Sequence, residues 1–270
     1  MLKYILQRLQ HYAHAIARRA LILHQYLSAV ELKRIKKCGQ VLSILKNPHS
    51  KEDIIDLSRF VHFDDLITLI DVGANTGYWS EEFITFFPNT RVIAFEADPE
   101  VASDCKKNLQ KYDSEVYPMG LSDTHKHSSF NRCNQSILSS LEKYEDEISD
   151  REIDGSGKIQ VELRPLDSFK IEKDKQVKTV LKIDVQGHEI EVLFGAKETL
   201  NIIDVVILEL SFAHQFKNRI PSFSRACSIL EASELYPVIF QDYGKKITPY
   251  AYERDVIFVK RVLINNIMGW

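Results

Sequence analysis

Leu66-Ile67-Thr68-Leu69-Ile70-Asp71-Val72-Gly73-Ala74-Asn75-Thr76-Gly77 is the stretch whose reading decides the fold. An apolar run, a glycine loop and a helical pattern opening near Tyr78 follow the strand–loop–helix order of a nucleotide-binding βαβ unit. Glycines let the backbone turn tightly and approach a ligand closely. The spacing fails the dinucleotide fingerprint G-x-G-x-x-G, because Asn75 and Tyr78 stand where glycines belong. The opening aspartate would repel a pyrophosphate but suits a ligand carrying an ammonium or sulfonium. The loop therefore points away from nicotinamide cofactors and toward S-adenosylmethionine (SAM). Arg91-Val92-Ile93-Ala94-Phe95-Glu96 reads as the next buried strand. Its terminal Glu96 lies 23 residues after Gly73, near the offset at which such folds set a carboxylate on a ribose diol. Asp71, Gly73, Asn75 and Gly77 are thus candidates for the methionine part of SAM, and Glu96 for the ribose.

The chain has 270 residues, 44 % hydrophobic and 27 % charged, enough for one large α/β domain with additions. A net charge of −3 offers no global field for nucleic acid. Cys38, Cys105, Cys133 and Cys227 are far apart, form no CxxC pair, and read as reduced thiols of a cytoplasmic protein. No apolar run approaches the roughly 18 residues of a membrane span, and no clear signal peptide is present.

Residues 1–40 carry eight Lys or Arg against the single acid Glu31. Leu2, Ile5, Leu6, Leu9, Ala13, Ile16, Ala20 and Leu23 recur at helical spacing. Residues 1–62 therefore read as a basic amphipathic helical region, with Ser50 capping a short helix toward Val61. It is either an arm packed on its own domain or on a twin subunit, or a helix resting on an anionic membrane surface. Residues 63–270 form the catalytic domain. Within it, Trp79–Phe87 is the first crossover helix, and Asp98-Pro99 opens a second that runs to Lys111. Ser114–Tyr117 is a third strand; Ser122 and Asp123, just past it, are candidate adenine contacts or plain turn residues.

Residues 124–165 read as an insertion or lid: a long polar tract, then a strand over Ile159–Leu166 that forms a small β unit with Ser128-Ser129-Phe130. His125 and His127 form an HxH pair without a further ligand at metal spacing. Val180-Leu181-Lys182-Ile183-Asp184-Val185-Gln186-Gly187-His188-Glu189 is a buried strand, a turn and a helix reaching about Leu200. Alternation puts Lys182 and Asp184 on one side of that strand, costly unless paired or functional. His188 opens the helix, whose dipole favours a neutral imidazole. Asp204–Leu210 is a fifth strand ending at Glu209, beside Asp184 if the two strands are neighbours. That pair could hold a divalent cation or contact Lys182. Ser222–Leu235 is a helix capped by Ser222, and Tyr236–Gln241 with Asp255–Lys260 forms a closing antiparallel hairpin. The fold expected is α/β: a class I, Rossmann-like methyltransferase sheet of seven mostly parallel strands, with an N-terminal helical arm.

These segments resemble the FkbM family of SAM-dependent methyltransferases. The likeness is carried by Ile70–Gly77, Val92–Pro99, Leu121-Ser122-Asp123, Leu166-Asp167-Ser168-Phe169 and above all Leu181–Ala196. It covers roughly residues 64–260. The resemblance implies methyl transfer to oxygen, on hydroxyls of sugars, glycans, glycolipids or natural products. An aliphatic hydroxyl is a poor acid, so a base or a cation is required. Asp184 and His188 are the candidates, with Glu189 and Glu209 as supports. A non-catalytic SAM-binding scaffold is the reading from another class. The partner expected is a small-molecule or glycan acceptor. The place expected is the cytoplasm, with the basic helices as a possible route to the inner face of a membrane or to a dimer.

Overall fold

The computed structural model describes residues 54, 56–133, 136, 139–142, 157–212, 222–240 and 253–268. The basic arm and the expected Ser50 cap lie outside them. Ile54, Leu57 and Val61, ahead of the expected boundary at 62/63, are fully buried.

Seven strands form the main sheet: β1 (Leu66–Val72), β2 (Thr90–Phe95), β3 (Ser114–Tyr117), β7 (Val177–Ile183), β8 (Val205–Ser211), β9 (Leu235–Phe240) and β10 (Glu253–Lys260), in the order β3-β2-β1-β7-β8-β10-β9. All pairs from β3 to β8 are parallel, and β10 runs antiparallel to both β8 and β9. This is the seven-stranded sheet with its closing hairpin. Its central strands read as near-continuous apolar runs because both faces are covered. Ile70, Ile183 and Leu208 belong to one core beneath helices, and Leu69, Val180 and Ile207 are equally buried. Chain order reverses at β1: β2 lies on one side and β7 on the other. Ligands of open α/β sheets bind beyond the strand ends at such a switch point.

Helix α1 (Tyr78–Phe86) follows the glycine loop, and α2 (Pro99–Leu109) starts where Asp98-Pro99 places it. Asp98 accepts a hydrogen bond from the amide of Glu100 at 3.0 Å, a cap that contributes about 1 kcal/mol. The insertion contains β5 (Lys126–Asn131), antiparallel to β6 (Lys158–Arg164), which also pairs with the short β4 (Gly120–Leu121). This small sheet buries Phe130, Val161 and Leu163.

Two expected helices differ. Helix α3 covers only Glu189–Phe194, and a separate 3-10 turn spans Thr199–Ile202. The break falls at Gly195, where a β-carbon would lie 2.0 Å from the carbonyl oxygen of Ser122. Asp167 then takes the amides of Glu198 (3.0 Å) and Thr199 (2.8 Å), which redirects the chain. Helix α4 spans Phe223–Glu231, and Ser222 precedes it without a side-chain capping bond. Gly195→Ala should destabilise the protein by at least about 2 kcal/mol, through overpacking against backbone that cannot move away. Chemical denaturation checks this, and an unchanged midpoint would refute the Gly195–Ser122 approach.

Candidate functional site

The loops at the carboxyl ends of β1, β2 and β7 border a cleft. Gly73, Asn75 and Glu96 line it from the first two, and Asp184, Gln186 and His188 from the third. Leu121, Phe130 and Leu141 supply apolar wall, and Ser136 and Ser139 add hydroxyls.

Gly73 has a φ of +80°, and a β-carbon there would sit 1.9 Å from the carbonyl oxygen of Asp184. Only glycine allows these two loops to meet. Asn75 is also left-handed, at φ 49°. Its amide donates to Glu96 Oε2 at 2.8 Å, and its side chain exchanges hydrogen bonds with Ser136 Oγ. The amide of Asp98 donates to the other oxygen of Glu96 at 2.9 Å. Burial pushes the Glu96 carboxyl up to about 7, against these two bonds and with the negative charges of Asp98 and Asp71 adding to the rise.

Asp184, one residue past β7, accepts from Lys182 Nζ at 3.0 Å and from Gln186 Nε2 at 3.1 Å. Burial works to raise its carboxyl, but the Lys182 ammonium and these bonds outweigh it and hold Asp184 below the ordinary range. Gln186 also donates to Glu209 Oε2 at 2.7 Å, bridging the two carboxyl groups across adjacent strands. Lys182 is buried over the Trp79 ring, 5.4 Å from its centroid. Burial disfavours its charge, yet Asp184, Asp71 and Asp255 together keep it above the usual lysine range.

The structure separates the candidates. Gly73, Asn75, Glu96, Asp184 and His188 share the cleft; Asp71, Gly77, Ser122, Asp123, Glu189 and Glu209 are not among its lining residues. Asp71 is fully buried beneath the loop, where Ser80 Oγ donates to it at 2.6 Å. The positive charge it faces there is the Lys182 ammonium. Gly77 is left-handed and packs against Cys105 and Leu109 at the head of α1. Asp123 turns outward to Lys126 at 3.0 Å, and that bond holds its carboxyl down at about 2. Ser122 is buried beside His188 Nε2, at 3.0 Å. Glu189 Oε1 accepts the amide of Gly187 at the head of α3. His188 has both ring nitrogens engaged, since Nδ1 lies 3.0 Å from Glu142 Oε1. Among the described residues no cluster of three or more metal-ligating side chains forms, and His125 pairs with Glu162.

Gln186 was visible in the strand-and-turn motif but received no role. Ser136 and Ser139 belong to the polar tract read as an insertion or lid, but the individual partners of Arg132, Ser136 and Glu142 lie 34 to 61 residues away and leave no spacing in the chain. Lys182→Met should cost about 3–5 kcal/mol, because it leaves buried carboxylates uncompensated. Adding Asp184→Asn should recover part of that loss. Denaturation of the single and double variants tests the coupling, and independent effects would refute it.

The sequence pattern of the methyltransferase FkbM domain family matches residues 71–247. The 2-O-methyltransferase NoeI of Sinorhizobium fredii is 26 % identical over 162 residues, covering 57 % of this chain and 67 % of that protein. AMB antimetabolite synthetase AmbE of Pseudomonas aeruginosa is 27 % identical over 174 residues, but the match spans 53 % of this chain and only 8 % of AmbE. The crystal structure of Methyltransferase FkbM from Methylobacillus flagellatus aligns with a TM-score of 0.47 at 15 % identity, over 85 % of this chain and 60 % of that one. With the family pattern running from the head of the glycine loop past the end of β9, the chain belongs to the FkbM family of methyltransferases.

Proposed function

We propose that the protein is a SAM-dependent O-methyltransferase whose acceptor is a hydroxyl of a sugar, glycan or glycolipid. The observation that carries the cofactor reading is the buried Glu96 carboxylate, fixed by two backbone amides and facing a glycine-loop cleft at the switch point of the sheet. Each of its oxygens accepts one amide and keeps a lone pair, which suits the two hydroxyls of a ribose. Gly73 and Asn75 would flank the amino-acid part, and Leu121, Phe130 and Leu141 offer apolar surface to a flat heterocycle. Asp184 brings negative charge to the same cleft, complementary to a cation. The residues present therefore fit SAM. When bound, SAM supplies an electrophilic methyl group on a positively charged sulfur.

The work left to the protein is alignment and proton removal. Asp184 is the group placed for the second task. A carboxylate held below its ordinary range is a weak base toward a free alcohol. It suffices once the acceptor oxygen is bonding to carbon, because that oxygen then carries positive charge and its proton becomes strongly acidic. Lys182 and Gln186 hold the carboxylate in place while it receives that proton. His188 lines the cleft but is already shared between Ser122 and Glu142, so it fits a supporting role. The relative named 2-O-methyltransferase supports oxygen as the acceptor atom. The hydroxyl and amide groups of Asn75, Ser136, Ser139 and Gln186 around the cleft suit an acceptor rich in hydroxyls. The four cysteines are far apart in the chain and form no CxxC pair, which accords with a reducing cytoplasm, and no described helix is long and apolar enough to cross a membrane.

Calorimetric titration with SAM and with its demethylated product should show binding that Glu96→Gln weakens about 10- to 100-fold, the cost of hydrogen bonds to a charged acceptor. The ionised carboxylate is the better acceptor for a diol, so affinity should rise as pH increases through about 7. Glu96→Gln should flatten that dependence. Failure of the parent to bind either compound would overturn the cofactor assignment. Asp184→Asn should bind SAM more weakly, through the lost negative charge, and at saturating SAM should still lose at least about 100-fold in transfer to a screened sugar acceptor, the scale of a general base. Retained turnover would remove Asp184 from that role.

A further inference from the structure

Beyond β5, described side chains between residues 131 and 142 are tied to three different strand ends. Arg132 grips Asp98, past the end of β2, with two guanidinium nitrogens: Nε to Oδ2 at 2.5 Å and Nη2 to Oδ1 at 2.6 Å. Ser136 Oγ meets the side chain of Asn75 in the loop after β1 at 3.0 Å. Ser140 Oγ donates to the carbonyl of Gln186 after β7 at 2.6 Å. Ser136 and Ser139 also line the cleft itself. These side-chain ties join the segment after β5 to the strand ends around the site that the cofactor reading assigns to SAM.

The Arg132 tie has a second consequence. Asp98 is the residue whose amide fixes Glu96, and its side chain is only 6 % exposed. Without a cation it would be a buried negative charge two residues from the carboxylate proposed to hold the ribose. The other groups facing Glu96 do not compensate. Asp71 from β1 adds negative charge, and the Cys105 thiol on α2 is pushed up to about 12 by burial and stays neutral. Arg132 supplies the positive charge, and Glu100 at 3.4 Å shares it weakly from an exposed position. A two-toothed, largely buried arginine–carboxylate pair is strong and leaves an uncompensated charge when broken.

We propose that Arg132 is a positioning residue for the cofactor: through Asp98 it keeps Glu96 ready to accept the ribose hydroxyls, and together with the Ser136–Asn75 tie it slows release of the cofactor from the cleft. The proposal rests on the SAM reading, and its test separates the two. SAM and its demethylated product are titrated against the full chain from pH 6 to 8.5, and release of radiolabelled SAM is followed after a chase with unlabelled ligand.

In Arg132→Gln the uncompensated Asp98 makes Glu96 hold its proton more tightly. The pH at which affinity rises should therefore move up, by about half to one unit. Release of SAM should be about tenfold faster. Arg132→Lys keeps the charge without the two-toothed grip; it should restore the pH midpoint and leave release fast. Ser136→Ala cuts a tie without touching a charge, so it should speed release with an unchanged midpoint. A parental midpoint and parental release rate in Arg132→Gln would overturn the proposal. If Arg132→Gln fails to fold, parental release in both Arg132→Lys and Ser136→Ala would do the same. A parent chain that binds neither compound would overturn the cofactor reading, and this proposal with it.

Discussion

A side chain at position 73 would place its first carbon 1.9 Å from the carbonyl oxygen of Asp184, so the loops after β1 and β7 can touch only through glycine. That contact continues the sheet one step past its formal end, where the amide of Asp184 donates to Val72 at 3.0 Å. It brings the acid-bearing loop of β7 against the glycine loop of β1, at the point where the chain order reverses. Glu96 then needs only the next parallel strand, with Phe95 in register with Val72, to arrive on the other side of the same loop. The cleft follows from the meeting of these three strand ends.

Charge balance around the cleft rests on one buried ammonium. Lys182 sits between Asp71 and Asp184, paired in register with the first and bonded to the second. Burying any of these alone would be prohibitive, and the set persists because each member offsets another. The two carboxyl groups end with different characters. Asp71 is pushed up by complete burial, while Asp184 is held down by the ammonium and by Gln186. Glu96, without a cation of its own, lies at about 7. Three carboxyl groups, Asp71, Asp184 and Glu96, thus take three different electrostatic environments within one site.

The insertion adds to the site that the core fold provides. Its small sheet buries Phe130, Val161 and Leu163, and that anchored β5 leads straight to Arg132. Arg132, Ser136, Ser140 and Glu142 then reach Asp98, Asn75, the Gln186 carbonyl and His188 respectively. Polar side chains from the insertion thereby border the strand ends, and loops on a shared sheet are where related enzymes can come to differ in acceptor.

The sequence by itself determined the order of strands and helices, the glycine loop, the cap at Asp98-Pro99 and the carboxylate at Glu96. These depend on short-range rules: apolar runs, left-handed glycines and caps act within a few residues. Lys182 beside Asp184 was legible for the same reason, since alternation puts i and i+2 on one face. Tertiary structure decided the rest. It turned Asp123 out to Lys126, sank Asp71 beneath the loop and broke the helix after Gly187 where Gly195 meets the backbone of Ser122. It also gave both nitrogens of His188 partners from distant segments and brought Arg132 to Asp98 across 34 residues. Such contacts are set by how packed elements fill space and satisfy buried charge, and neither constraint leaves a period or a spacing in the chain.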